Sequence, residues 1–235
     1  MAVALITGAS RGLGRALSEE LADRGWSLVI DARDPEALEA VAAALRRRLD
    51  EGASVRALAG DVASERHRCE LAEAVGELGR LDLLVNNAST LGHSPLLRLE
   101  HFDLGDLRRV YEVNVLAPLA LVQALLELLQ ATAGATVVNV SSDAALEHYD
   151  SWGAYGSSKA ALDHLTATLA AELPSVRFLA VDPGDMRTVM HQEAFFGEDI
   201  SDRPLPETVV PALVTIIEGD FASGRYRAAE IAGAR

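Results

Sequence analysis

The sequence predicts a doubly wound α/β fold, a parallel sheet of about seven strands with helices on both faces. Three observations predict it. Short runs rich in branched apolar residues recur along the chain, separated by longer stretches of helical period. The runs are apolar throughout, as in strands covered on both sides, and not alternating as in a sheet with one wet face. The chain's 235 residues and 49% hydrophobic content suffice for one packed core, so 1–235 reads as a single domain.

The first run, AVALIT at 2–7, lacks a basic start and leads directly into glycine-rich sequence, so it reads as a strand and not as a signal peptide. A helical pattern at 14–24 ends at Gly25, before SLVIDA at 27–32. Asp34 and Pro35 form a cap and first-turn pair for a helix over 35–49. SVRALA at 54–59 is followed by a helix over 64–78 that ends at Gly79, and then by LDLLVN at 81–86. ATVVNVS at 135–141 and VRFLAV at 176–181 complete six strands, and SGRYRAAEI near the end supplies a seventh at an edge. Only 184–206 lacks a clear period, and a connection that long in a compact domain suggests a substrate lid.

Composition narrows the function. Thirty-five acidic against 21 basic side chains give a net charge of −14, which disfavours nucleic acid or an anionic membrane as partner. Cys69 is the only cysteine, so no intrachain disulfide can form and no cysteine cluster can hold a metal. No apolar run reaches the roughly 18 residues of a membrane span. A cytoplasmic protein without metal is expected. His93, His101, His148 and His191 are scattered and read as loop or surface residues.

The first strand runs into TGASRGLGRAL, with Gly8, Gly12 and Gly14 ahead of a helix. Glycines allow a tight turn and close approach of a pyrophosphate, while the free amides of a helix start face its charge. The spacing G-x-x-x-G-x-G differs from G-x-G-x-x-G, yet its place after the first strand points to a Rossmann-type dinucleotide site. Ribose selectivity is set past the second strand, where IDARDPE offers both Asp31 and Arg33. An acid there would accept from ribose hydroxyls, and a cation would pair with a 2′-phosphate. The two share one strand face, so spacing does not choose between them.

These residues resemble the classical short-chain dehydrogenase/reductase family over nearly the whole chain. TGASRGLG at 7–14, GDV at 60–62, NNAS at 86–89, VNV at 113–115, NVSS at 139–142, YGSSK at 155–159 and DPGDMRT at 182–188 follow the family's order. Ser89 replaces the usual glycine, and the C-terminus lacks the VDGG tail of fatty-acid-type ketoreductases, which sets that substrate class apart. The resemblance implies cofactor contacts from Gly8, Ser10, Arg11, Gly12, Leu13 and Gly14. It further implies an adenine contact at Asp61 beside Val62, and a ribose edge at Asn87 and Ala88. For Asn86, strand-tying and direct contact stay open. Pro183, Gly184 and Thr188 fall at the nicotinamide end. Arg33 occupies the place where NADP-preferring members carry arginine, and Arg11 the other such basic place. NADPH is therefore expected over NAD.

A carbonyl reduction needs a proton delivered to oxygen. A free tyrosine, with a pKa of about 10, is a poor partner near neutrality, but a nearby ammonium favours its phenolate. Lys159 follows Tyr155 by one helical turn, so the two share a face. Ser142, at the end of an apolar strand, falls at the family's catalytic serine, with Ser141 as the alternative register. Asn114 falls at the fourth catalytic place, which holds a water linking Lys159 to solvent. His148, Tyr149, Trp152, Met186, Met190, Phe195 and Phe196 are expected to line a mostly apolar substrate pocket. The expected activity is hydride transfer between NADPH and a carbonyl or secondary alcohol, by a homodimer or homotetramer paired through the helices of Asn114 and Tyr155. The rivals are an NAD-linked alcohol dehydrogenase of the same family and a dinucleotide sensor without turnover.

Overall fold

The computed structural model describes residues 1–232. Seven strands form one parallel sheet: β1 Val3–Ile6, β2 Ser27–Ala32, β3 Val55–Ala59, β4 Leu83–Asn86, β5 Thr136–Val140, β6 Arg177–Asp182 and β7 Gly224–Arg227. Their order is β3-β2-β1-β4-β5-β6-β7. The expected α/β architecture is thus present, with corrections at its margins. Residues of β3 are only half-buried because this strand is an edge, not a covered interior strand. The predicted seventh strand is shorter than SGRYRAAEI, whose last residues turn into a helix, Ala228–Ala232.

The helices are α1 Gly12–Asp23, α2 Pro35–Arg46, α3 Glu65–Gly76, α4 Leu104–Tyr111, α5 Ala117–Ala124, α6 Leu126–Ala131, α7 Gly153–Glu172, α8 Val189–Ala194, α9 Pro206–Glu218 and α10 Ala228–Ala232. Asp34 caps α2 as expected, its Oδ1 accepting from the amides of Glu36 and Ala37, each at 3.1 Å. α2 and α3 end two or three residues before the predicted ends at 49 and 78. No helix among the described residues is long and apolar enough to cross a membrane.

Alternate residues of each strand feed two cores. Ala4, Ile6, Leu28, Ile30, Val85 and Val138 pack with α1, α2 and α9 on one face. Val3, Leu5, Val29, Leu84, Val137 and Phe178 pack with α3, α5, α6 and the end of α7 on the other. Both faces being dry explains why the strands read as unbroken apolar runs.

α4 and α5 form one rod interrupted by a π-turn over Glu112–Leu116. Its cause is legible: Pro118 has no N–H to return to the Asn114 carbonyl four residues back, so the α-ladder breaks there. The Ala117 amide bonds Glu112 instead, one residue further back than an α-helix requires. The strand order reverses between β1 and β4, and a crevice opens at the carboxyl ends of the strands, the usual place for a ligand in such sheets.

Candidate active site

A cavity of about 900 Å³ occupies this crevice. It is lined by Gly8, Ser10, Arg11, Gly12, Leu13, Arg33, Asp61, Val62, Asn87, Ala88, Ser142, Tyr155, Lys159, Pro183, Gly184 and Thr188, all expected from the sequence. Gly14 and Asn114 are not on its wall. Gly14 lies behind the loop, where a Cβ would meet Asn87 Nδ2 at 2.5 Å and the Gly8 oxygen at 2.6 Å. The absence of a Cβ at Gly14 permits this close packing of loop against β4.

The loop is tied to β4 by a polar clasp. Asn87 Nδ2 donates to the Thr7 carbonyl at 2.8 Å and the Gly8 carbonyl at 3.1 Å. Thr7 Oγ1 accepts from the amides of Asn87 and Ala88, each at 3.0 Å. The Asn87 side chain therefore holds the loop while Asn87 also lines the cavity. Asn86 bridges strands in turn, donating to Asn139 Oδ1 at 2.7 Å, and Asn139 donates to Thr166 on α7 at 2.8 Å.

Asp31 and Arg33 both reach the cavity wall and differ in their partners. Asp31 is 1% exposed, and its Oδ1 accepts from the Gly8 amide at 2.8 Å while Oδ2 meets His67 Nε2 at 3.0 Å. Burial raises the Asp31 pKa, against the hydrogen bonds of His67 and Gly8. The Asp31 contact raises that of His67. Asp34 is occupied as the α2 cap. Both acids beside Arg33 also line the cavity but hold these partners, while the Arg33 and Arg11 side chains line it with no side-chain hydrogen bond or salt bridge among the described residues, Arg33 lying near enough to Asp61 to lower its pKa. Two unengaged guanidiniums, a glycine turn and the start of α1 fit the phosphates of a dinucleotide. Asp61, expected to face adenine, lies on the wall, but its carboxylate accepts from the Ala63 amide at 3.0 Å and pairs with Arg109. Burial alone would raise its pKa, and these contacts hold it below the ordinary value. His67 and Arg109 were not foreseen, since no motif marks either one.

At the other end stand the reacting groups. The Tyr155 hydroxyl faces the side chains of Ser142 and Ser89, both of which favour its ionised form, and the tyrosine is 9% exposed. Ser142 Oγ also donates to Asp143 Oδ1 at 3.0 Å and accepts from the Ala144 amide at 3.2 Å. Ser141, the alternative register, is buried with an unpartnered hydroxyl and makes no such contact with the tyrosine. Lys159 Nζ donates to the Val140 carbonyl at 2.7 Å. Burial lowers the Lys159 pKa to about 8. One expectation needs correction: the Tyr155 pKa is raised, because burial outweighs the two serines and Lys159 is not among the groups that lower it. The ammonium's nearest bond is with a carbonyl, not with the phenol.

The Asn114 side chain is saturated. Its Oδ1 accepts from the Thr90 amide at 2.9 Å and Ser89 Oγ at 3.1 Å, and its Nδ2 donates to the Thr90 carbonyl at 2.9 Å and Ser158 Oγ at 3.0 Å. Ser89, the departure from the family glycine, is a partner in this set. Ser158 Oγ donates to the Tyr155 carbonyl at 2.6 Å, so the π-turn is bonded to the tyrosine's own helix.

Trp152, Met186 and Met190 line the cavity as expected, joined by Leu91 and Ala194. His148, Tyr149, Phe195 and Phe196 do not. Tyr149 instead donates to Asp143 at 2.9 Å, Phe196 is exposed, and Phe195 packs behind, its ring 5.9 Å from Trp152 and 4.6 Å from His191. His191, expected at the surface, is a half-buried wall residue because α8 turns it inward. Thr188 caps α8, accepting from the His191 amide at 3.1 Å, and its methyl faces Gly12 across the cavity.

Residues 2–199 match the family profile described as short chain dehydrogenase. Sepiapterin reductase of Mus musculus is 38% identical over 203 residues, covering 82% of this chain and 77% of that protein. The rhamnolipids biosynthesis 3-oxoacyl-[acyl-carrier-protein] reductase of Pseudomonas aeruginosa is 38% identical over 177 residues, covering 73% of this chain and 66% of that protein. Among solved structures, an alcohol dehydrogenase from Thermococcus sibiricus complexed with 5-hydroxy-NADP superposes with a TM-score of 0.85 at 29% identity, covering 97% of this chain and 95% of that one.

Proposed function

The chain belongs to the short-chain dehydrogenase family, and we propose that within it this protein reduces a carbonyl compound with NADPH, Tyr155 donating the proton. The observation that carries this reading is the convergence of Ser142, Tyr155 and Lys159 on the cavity that the glycine loop opens onto. NADPH when bound would supply hydride to the carbonyl carbon. Its phosphates fit Arg33, Arg11 and the α1 start, and Thr188, which lies close to Gly12, lines the same cavity with Pro183 and Gly184.

The protein's own part is proton delivery and orientation. Ser142 Oγ turns from Asp143 toward the substrate oxygen and holds it beside the Tyr155 hydroxyl. The raised Tyr155 pKa keeps the phenol protonated, as a proton donor requires. Lys159 holds the ribose and draws the tyrosine back toward its working range once both face a common ligand. Because the Asn114 side-chain amide is saturated and Pro118 gives the backbone carbonyl no N–H four residues on, that carbonyl is the Asn114 group suited to accept from and hold a water through which protons pass from solvent. Residues 184–206 act as the lid, with Met190 and Ala194 packed by Leu91 and Trp152 and Met186 elsewhere on the wall, to receive an apolar carbonyl compound.

A panel of aryl and alkyl ketones assayed with NADPH and NADH side by side tests the reading. Turnover with NADPH supports it. Turnover with NADH alone would favour the NAD-linked alcohol dehydrogenase, and tight cofactor binding without turnover would favour a sensor.

A further inference from the structure

We propose that Arg225 is a positioning residue for the reacting groups, its guanidinium locking the Ser142 backbone, the Tyr155–Lys159 helix and the Pro183–Gly184 turn into one assembly. This rests on the reductase reading above. Arg225 lies on the edge strand β7, where its register partner is Ala180 of β6. An arginine on an edge strand normally reaches solvent, because the guanidinium is costly to desolvate. This one folds inward, and its side chain is only 22% exposed.

Each of its contacts lies directly beside a piece of the site. Nε donates to Asp163 Oδ2 at 2.9 Å. Asp163 is one helical turn beyond Lys159 on α7 and is 13% exposed, so the contact fixes the rotation of the helix that carries both Tyr155 and Lys159. Nη2 donates to the Ser142 carbonyl at 2.9 Å, which holds the backbone of the residue whose hydroxyl faces the tyrosine. The same nitrogen stands 3.5 Å from Asp182 Oδ2. The other oxygen of Asp182 accepts from the Gly184 amide at 2.9 Å and so shapes the turn that leads into the lid.

A planar fork with several fixed donors can serve three acceptors at once, which a lysine ammonium at the end of a flexible stem does less well. Asp163 and Asp182 are both nearly buried, and Arg225 supplies charge-assisted bonds to each. A residue that served only to staple β7 to the sheet would need none of the Ser142 contact. Arg225 touches neither the cavity nor the reacting atoms, so its effect passes through Ser142 and α7.

The test compares wild type, Arg225→Met, Arg225→Lys and Tyr155→Phe. It reads kcat and KM for a ketone with NADPH, Kd for NADPH by fluorescence, melting temperature and the crystal structure of Arg225→Met. Arg225→Met is expected to lower kcat by about tenfold or more, with Kd for NADPH within about twofold, and Arg225→Lys to recover part of the loss. In the crystal, Ser142 Oγ should move away from the Tyr155 hydroxyl. A kcat within about twofold of wild type, or a parallel fall of kcat, cofactor affinity and melting temperature, would overturn the proposal. If Arg225→Met does not fold, Asp163→Asn cuts one limb of the assembly and is read by the same split between kcat and Kd. Should wild type reduce no carbonyl, the reductase reading fails, and an unmoved Ser142 in the Arg225→Met crystal then overturns positioning independently.

Discussion

The Lys159 ammonium stands 5.5 Å from the centroid of the Tyr155 ring and donates its hydrogen bond to the Val140 carbonyl. Both side chains are buried, and burial drives their protonation equilibria apart from each other: the phenol is held protonated and the ammonium is made easier to deprotonate. Such a pair suits the proton donation proposed for the tyrosine, with the lysine, at about 8, as the group of the two that titrates nearer neutrality.

Tyr155→Phe removes the donor while keeping the ring that packs against Trp152 at 5.8 Å. We expect kcat to fall by about 10²–10⁴ with Kd for NADPH changed by less than about twofold. Steady-state kinetics and fluorescence titration measure both, and retention of most of the reductase rate would remove Tyr155 from the proton-transfer role.

Arg33→Ala tests cofactor choice. Loss of a charge-assisted contact with a 2′-phosphate corresponds to a weakening of NADPH by about tenfold to a hundredfold, while NADH should change by no more than about twofold. Equal weakening of both dinucleotides would mean that Arg33 does not read the 2′ position.

Cofactor affinity should depend on Lys159 protonation. Its folded-state pKa of about 8 lies below its ordinary 10.5, so the charged form is the one that folding disfavours. Burying the ammonium costs stability below pH 8, and that penalty fades between 8 and 10.5 as the unfolded chain, too, loses the proton. Binding runs the other way, because the ribose contact needs the charge. Kd for NADPH should be flat below pH 8 and weaken above it by up to about tenfold per unit. Lys159→Met should bind weakly at every pH, and an unchanged pH profile in that variant would assign the titration to another group.

The His67–Asp31 pair gives a stability prediction. Removing one partner of a buried hydrogen-bonded pair leaves the other unsatisfied, so His67→Leu should cost about 1–3 kcal/mol. Adding Asp31→Asn, which keeps an acceptor for the Gly8 amide, should recover part of that loss. Denaturant unfolding of the two single variants and the double variant measures the coupling, and strict additivity would show the two side chains to be independent.

Much of this was legible beforehand because it depends on local pattern. Six strands, the Asp34 cap and the loop glycines rest on periodicity and backbone freedom, which neighbouring residues alone dictate. The wall contributed by Tyr155, Lys159, Ser142 and Thr188 was found because ordered motifs carry it. What escaped lies in long-range side-chain pairing. Nothing near IDARDPE tells that Asp31 turns toward Gly8 and His67, because His67 comes from a helix two elements later. Nothing near GDV foretells that Arg109 reaches Asp61. Aromatic residues near the site were assigned to the pocket by proximity in sequence, and Phe195 and Tyr149 face away because α8 and Asp143 have claimed them.

The π-turn at Glu112–Leu116 puts α4 and α5 out of phase with each other. An α-turn takes about 3.6 residues and this turn takes one more, so the wide turn absorbs an extra residue while α4 and α5 keep one axis. Asn114 lies within the wide turn, and its four side-chain bonds to Ser89, Thr90 and Ser158 depend on the place that the extra residue gives it. Along this rod, length carries information as side-chain identity does: removing one residue would let the turn close to an α-turn and displace the groups within it, while the helices on either side stay in line.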